Sequence, residues 1–249
     1  MSASLISIRD LHKRLGQQHV LRGFDLDVTT GETLVVIGRS GGGKSVLLKH
    51  IIGLMKPTSG EVFVEGENIT GLSERRLGVI RKKIAILFQS AALFDSMTVE
   101  ENVAFPLMEA GLRDEKVIEE KVARALEVVD LAGEQTKMPE NLSGGMRKRV
   151  GLARAIVSDP VCVLYDEPTT GLDPIVADSI NRLIRRLQKR LGVTSIVVTH
   201  DMKSAFHVAD QVAYLHEGRI YFKGTPDELR ASTDPLIQDF IEGRSRETV

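Results

Sequence analysis

Residues Gly38-Arg39-Ser40-Gly41-Gly42-Gly43-Lys44-Ser45 fit the pattern G-x-x-x-x-G-K-[ST]. These residue types suit a nucleoside triphosphate. Glycines let successive backbone N–H groups turn inward around phosphate oxygens, and a helix starting at the loop's end adds its positive N-terminus. Lys44 would reach the β- and γ-phosphates, and the Ser45 hydroxyl would ligate Mg²⁺. The pattern lies between residues 33–37, a compact β-branched run that reads as a strand, and residues 46–54, whose apolar periodicity reads as a helix. An ordinary glycine-rich turn would not require that setting, so the expectation is a phosphate-binding loop for ATP and Mg²⁺.

A second site begins where the apolar run 161–165 ends in Asp166 and Glu167. Adjacent strand residues point to opposite sides, so two neighbouring carboxylates should do different work. Asp166 is assigned to the Mg²⁺ shell and Glu167 to orienting or deprotonating an attacking water. A third candidate is Leu142-Ser143-Gly144-Gly145-Met146, ahead of a helix expected from Arg147. A serine at a helix start followed by two glycines exposes a hydroxyl and N–H groups at the positive helix end, a second phosphate-binding surface through Ser143 and Gly145. If the two phosphate surfaces lie on separate lobes, two chains facing head to tail would give each nucleotide one of each.

These sites need a scaffold. The opening segment alternates apolar and polar residues and reads as short antiparallel strands. Strand candidates at 61–64 and 84–88 follow. Residues 90–158 carry helix after helix (99–110, interrupted at Pro106; 115–129; 143–157) and no strand candidate. Beyond them strands at 161–165, 194–199 and 211–216 alternate with helices at 174–190 and 202–209, which implies a parallel sheet covered on both faces. The expected division is one domain over 1–249: a core with a β subdomain at 1–89 and 159–225, a helical subdomain at 90–158, and a helical tail at 226–249. The tail would dock either on its own core or across onto a partner.

The chain has 249 residues, 42% of them hydrophobic and 27% charged, with a formal net charge of −1. That balance gives no reason to expect nucleic acid as a partner. A single cysteine, Cys162, excludes an internal disulfide. No window approaches the roughly 18 apolar residues needed to span a bilayer, and residues 1–10 lack a signal-peptide pattern. The basic cluster Arg75, Arg76, Arg81, Lys82 and Lys83 reads as a solvated face.

The series resembles the ABC ATPase family along nearly the whole chain. The phosphate loop, Gln89, Leu142–Met146, Tyr165-Asp166-Glu167-Pro168, Gly171-Leu172-Asp173-Pro174 and Thr199-His200-Asp201 stand in that family's order. The resemblance implies an α/β P-loop NTPase with a RecA-like core, an N-terminal antiparallel β subdomain and an inserted helical subdomain. It implies that Gln89 touches Mg²⁺ or water, that Asp173 sits at a homodimer interface, and that His200 meets the γ-phosphate. Two departures stand out. Met146 replaces the usual glutamine, and Leu15 falls where an aromatic normally stacks on adenine, so base selectivity should be loose and GTP should compete.

The run 87–99, then Asn102-Val103-Ala104-Phe105-Pro106-Leu107, with Arg147-Lys148-Arg149 and the tail 234–240, is similar to ATPases of MCE-type lipid transporters, including the Mla systems. That likeness implies a peripheral subunit on the cytoplasmic face of a bacterial inner membrane, working with integral-membrane permease subunits, an MCE-domain protein and a STAS-domain accessory protein. An amino-acid importer or a lipoprotein-release system is the alternative within transport. A chromosome or DNA-repair ATPase would need long coiled coils between Lys44 and Ser143, and no heptad run exists there.

Overall fold

The computed structural model describes residues 4–244. Two compact units divide it, one holding residues 4–71 and 197–244, the other 72–196.

In the first unit, buried Leu5, Ile6, Ile8 and Leu11 anchor the long strand β1 (Ser4–Leu15). It pairs antiparallel with β2 (Gln18–Arg22) and β3 (Leu26–Thr29), and across its length with β5 (Ser59–Val64), in the register Ile6↔Val64 and Ile8↔Val62. A short β6 (Glu67–Asn68) extends β5. Strand β4 (Thr33–Ile37) is buried at every position, as expected of a parallel strand covered on both faces. It runs parallel to β10 (Gln211–His216), which turns back antiparallel into β11 (Arg219–Gly224). The helices of this unit are α1 (Lys44–Ile51), α7 (Met202–Val208), α8 (Pro226–Ala231) and α9 (Pro235–Ile241). The tail lies on its own unit: Phe240 of α9 packs on Tyr214 of β10 with ring centroids 4.6 Å apart, and the Tyr221 hydroxyl donates to Asp234 at 2.7 Å.

The second unit holds α2 (Glu74–Lys83), β7 (Ile84–Leu87), α3 (Val99–Glu109), α4 (Glu115–Val128), a 3-10 turn at Pro139–Asn141, α5 (Gly144–Ile156), β8 (Cys162–Asp166) and α6 (Pro174–Leu191). Strands β7 and β8 are parallel, with Ile84↔Cys162 through Leu87↔Tyr165. Asp130, just past α4, accepts from Arg149 of α5 and Arg186 of α6 at 2.7 Å each and fastens the helices to one another. The division between units falls within β9 (Thr194–Thr199). Among the described residues no helix is long and apolar enough to cross a membrane.

One local expectation changes and two others gain detail. Helix α3 runs unbroken through Pro106. The proline removes only the N–H that the Asn102 carbonyl would accept, and a capping box between Thr98 and Glu101 fixes the start of the helix. Buried Asn102 reinforces it by donating from Nδ2 to the carbonyls of Phe94, Met97 and Thr98 at 3.0–3.1 Å. Helix α5 (Gly144–Ile156) matches the helix expected over 143–157 and starts ahead of Arg147, because the Ser143 hydroxyl accepts from the Met146 N–H and caps it there. The basic cluster sits on a short helix, α2, and on its last turn.

Candidate functional site

The phosphate loop is aimed by its flanks. Buried β4 delivers Gly38, and α1 begins at Lys44 with Gly43 as its N-cap. Gly43 has φ +99°, and a Cβ there would stand 2.9 Å from Leu21 Cδ2 and 3.1 Å from Val20 Cγ1 of β2. Both conformation and space therefore demand glycine. No side chain caps α1 and its first turn carries no acid, so its positive end is left for an anion. Lys44 is 5% exposed, and its Nζ donates to the carbonyls of Gly38 at 2.8 Å and Arg39 at 3.1 Å. The ammonium thus rests on the loop it is expected to serve.

His200 follows β9 in the same unit. Asp201 next to it caps α7 by accepting from the N–H groups of Lys203 and Ser204, and donates its own N–H to Thr199 Oγ1 at 3.0 Å, which fixes the backbone on which His200 stands. His200, Arg39 and Ser40 share a cavity of about 390 Å³ with Tyr214, Asp239 and Phe240. Leu15 closes β1 at 44% exposure, opposite Gln18 across a tight turn at Gly16. Its hairpin partner β2 is the strand that meets Gly43, through Val20 and Leu21.

In the second unit the register of β7 against β8 pairs Leu87 with Tyr165, so Gln89 and the Asp166-Glu167 pair leave neighbouring strands at the same end. Glu167 is 8% exposed and takes φ +49°, a left-handed conformation uncommon for a residue with a Cβ. Its carboxylate accepts from Thr170 Oγ1 at 3.2 Å and its carbonyl from Thr170 N–H at 3.3 Å. The turn is thereby closed on itself with the carboxylate held. Lys148 of α5, 5% exposed, donates from Nζ to the carbonyls of Gln89 and Glu167. Burial lowers the affinity of this ammonium for its proton, and the carboxylates of Asp166 and Glu167 pull it back upward.

Ser143 and Gly145 stand at the start of α5, Ser143 exposed and Gly145 buried. A Cβ on Gly145 would lie 2.5 Å from Val176 Cγ1 of α6. Asp173 caps α6, its Oδ1 accepting from the N–H groups of Ile175 and Val176 at 3.0 Å.

A family model described as ABC transporter matches residues 21–170, more than half of the chain. The chain belongs to the ABC transporter family. It is 39% identical over 241 residues to the intermembrane phospholipid transport system ATP-binding protein MlaF of Escherichia coli K12, covering 97% of this chain and 90% of that one. It is 40% identical to the chloroplastic protein TRIGALACTOSYLDIACYLGLYCEROL 3 of Arabidopsis thaliana, covering 96% of this chain and 74% of that one. Among solved structures it superposes with a TM-score of 0.81 and 30% identity on the ATP-binding cassette MJ0796, a dimer in a post-hydrolysis state bound to ADP and phosphate, covering 89% of this chain and 98% of that one. The α/β ABC ATPase fold expected from the motif order is the fold found, and membership makes the chain a nucleotide-binding, ATP-hydrolysing cassette of a kind that works as a dimer with membrane partners.

Within this ABC cassette, the first unit brings together the phosphate loop, His200 and the Leu15 hairpin. The second gathers Gln89, Asp166, Glu167, Ser143, Gly145 and Asp173. Two members of the carboxylate turn escape the motif pattern: Thr170 and Lys148. Lys148 had a readable signal, since it stands on the buried stripe of α5 with Gly145, Gly151 and Leu152, where a lysine needs a reason. The second unit also carries an aromatic feature at its surface. Phe94, 42% exposed, packs on Phe105 at 4.8 Å, with the Arg154 guanidinium 5.8 Å from its ring centre.

Proposed function

We propose that the chain is the ATPase of a transporter that moves phospholipid between membranes, working as a peripheral subunit at the cytoplasmic face of a bacterial inner membrane. The observation that carries this reading is 39% identity extending over 97% of the chain to an ATP-binding protein of an intermembrane phospholipid transport system. The alternative, an amino-acid or lipoprotein system, is not better supported. The partners proposed are a second copy of the chain, integral-membrane permease subunits, an MCE-domain protein and a STAS-domain protein. The exposed Phe94 face offers apolar area for the permease.

Two copies grip two ATP molecules. The backbone amides of residues 38–45 and the Lys44 ammonium hold the β- and γ-phosphates. Ser143 and the Gly145 N–H of the facing copy hold the same triphosphate from the other side. Ser45, Asp166 and Gln89 offer hydroxyl, carboxylate and amide oxygens, a hard donor set that suits Mg²⁺. Among the described residues no group of three histidine, cysteine, aspartate or glutamate side chains could hold a metal ion. An ion bound at Ser45, Asp166 and Gln89 would neutralise charge developing on the phosphate oxygens. Glu167, held by Thr170, accepts the proton of the attacking water and directs its lone pair at phosphorus. His200 steadies the γ-phosphate oxygens, and Asp173 lies at the contact between copies. Closure and hydrolysis alternate, and the permease follows.

Glu167→Gln should bind ATP, lose at least about a hundredfold in turnover and trap a closed dimer; wild-type turnover would remove Glu167 from its role. The cargo is tested by purifying the intact membrane complex through this chain and identifying lipid and subunits by mass spectrometry. Copurified phospholipid with a permease and an MCE-domain protein is the expected result. A complex holding a soluble substrate-binding protein and no phospholipid overturns the proposal.

A further inference from the structure

We infer that Lys148 is a positioning residue for hydrolysis, tying the carboxylate turn and the segment after β7 to the helix that begins at Ser143. The inference rests on the reading of Glu167 as the group that activates water.

The observation is a buried ammonium with a defined pair of acceptors. Lys148 sits on the inward stripe of α5, and its Nζ donates to the carbonyl of Gln89 and, at 3.5 Å, to the carbonyl of Glu167. An ammonium placed in such surroundings is kept only where acceptors replace its water. Both acceptors are main-chain atoms of residues expected to serve the γ-phosphate, on two separate loops. They follow parallel strands whose last paired residues are Leu87 and Tyr165. The strands alone bring the loops side by side; one ammonium shared by both carbonyls fixes the distance between them.

The Glu167 peptide needs such a hold. Its φ of +49° is a conformation that a residue with a Cβ adopts only when its surroundings impose it. Thr170 supplies a local grip on the carboxylate and the carbonyl. Lys148 supplies a second grip from α5, an element anchored at its own start by the Ser143 cap. When a second copy's nucleotide engages Ser143 and Gly145, any displacement of α5 is carried by the Lys148 side chain to both Gln89 and Glu167. ATP binding through the phosphate loop does not involve it. Loss of Lys148 should therefore lower kcat and leave the KM for ATP in place.

The test uses the intact transporter complex. Lys148→Met keeps the length of the side chain and removes its donors. It should lower kcat at least about tenfold, with KM for ATP within about twofold and the thermal midpoint of the complex little changed. Lys148→Arg, which keeps donors on a long stem, should recover most of the rate. Lys148→Gln, with a shorter donor, should fall between them, and it carries the comparison if the methionine variant does not fold. In a Glu167→Gln background Lys148→Met should cost nothing further, because the group it positions is gone. The inference is overturned if Lys148→Met turns over at the wild-type rate, if KM rises in step with the fall in kcat, or if folded Lys148→Arg is as slow as folded Lys148→Met. Failure of the underlying reading is a separate outcome: Glu167→Gln alone would then retain turnover.

Discussion

The phosphate loop and the carboxylate turn both leave the end of a buried parallel strand, β4 in one unit and β8 in the other, yet they are built from opposite materials. In the loop the backbone itself is the ligand. Side chains must stay out of the way, and Gly43, at φ +99° with Leu21 and Val20 against it, is the position that shows why. In the turn a side chain is the reagent, so glycine cannot serve. Glu167 takes a left-handed conformation with its Cβ in place, and Thr170 and Lys148 hold it there. A site that works through main-chain N–H groups carries its requirement in its own residue types. A site that works through a strained side chain draws its support from elsewhere in the chain.

The contrast is broken most severely by removing the cation from the loop. Lys44→Ala should abolish high-affinity ATP binding and reduce hydrolysis by at least about a hundredfold, since the ammonium held 2.8 Å from the Gly38 carbonyl is the loop's buried positive charge. Equilibrium binding of a fluorescent ATP analogue separates this from Glu167→Gln, which should bind as the wild type does. If Lys44→Ala binds normally and only turnover falls, the division between a gripping loop and a reacting turn fails.

A smaller effect is expected where α5 starts. A Cβ on Gly145 would press on Val176 Cγ1 at 2.5 Å, whereas one on Gly144 would meet Leu172 Cδ2 at 3.4 Å. Gly145→Ala should cost about 1–3 kcal/mol of stability, a fall of several degrees in the melting temperature, and Gly144→Ala should leave it almost unchanged. Calorimetry on the isolated chain reads both. Equal melting temperatures for the two variants would mean that close packing against α6 is not what keeps Gly145 small.

The same division explains which parts of the molecule could be read before the fold was known. The phosphate loop was legible because strand, glycines, lysine and helix are contiguous, and most strands and helices were legible because their burial follows a period of two or 3.6. Helix α2 was not: it is short and strongly basic, with only Leu77 and Ile80 buried. Strand β11 was missed although its hairpin carries a local signal, Glu217 and Gly218 both at positive φ between His216 and Arg219, the type I′ geometry of a two-residue turn. Lys148 acts through hydrogen bonds to carbonyls 59 and 19 residues away, partners set by how the chain folds back, whereas Thr170 and Asn102 bond partners three to eight residues away in turns that no residue pattern announces. Asn102 is buried with its amide on three carbonyls at and before the start of α3.

The smallest expected effect concerns the base, the part of the nucleotide for which neither the loop nor the turn supplies a grip. Leu15 is 44% exposed at the end of β1, and the hairpin it belongs to leans on Gly43 through β2. A leucine there offers apolar contact without a π-face. Leu15→Tyr adds a surface on which a purine can stack, worth about 0.5–1.5 kcal/mol, or roughly a two- to twelvefold fall in the Kd for ATP. Tripolyphosphate, which has no base, should bind both proteins equally. GTP should compete with ATP on the wild-type chain within an order of magnitude, because the phosphates supply most of the affinity. If Leu15→Tyr shifts tripolyphosphate as much as ATP, the hairpin acts on the loop's shape through Val20 and Leu21, and the base makes no contact with residue 15.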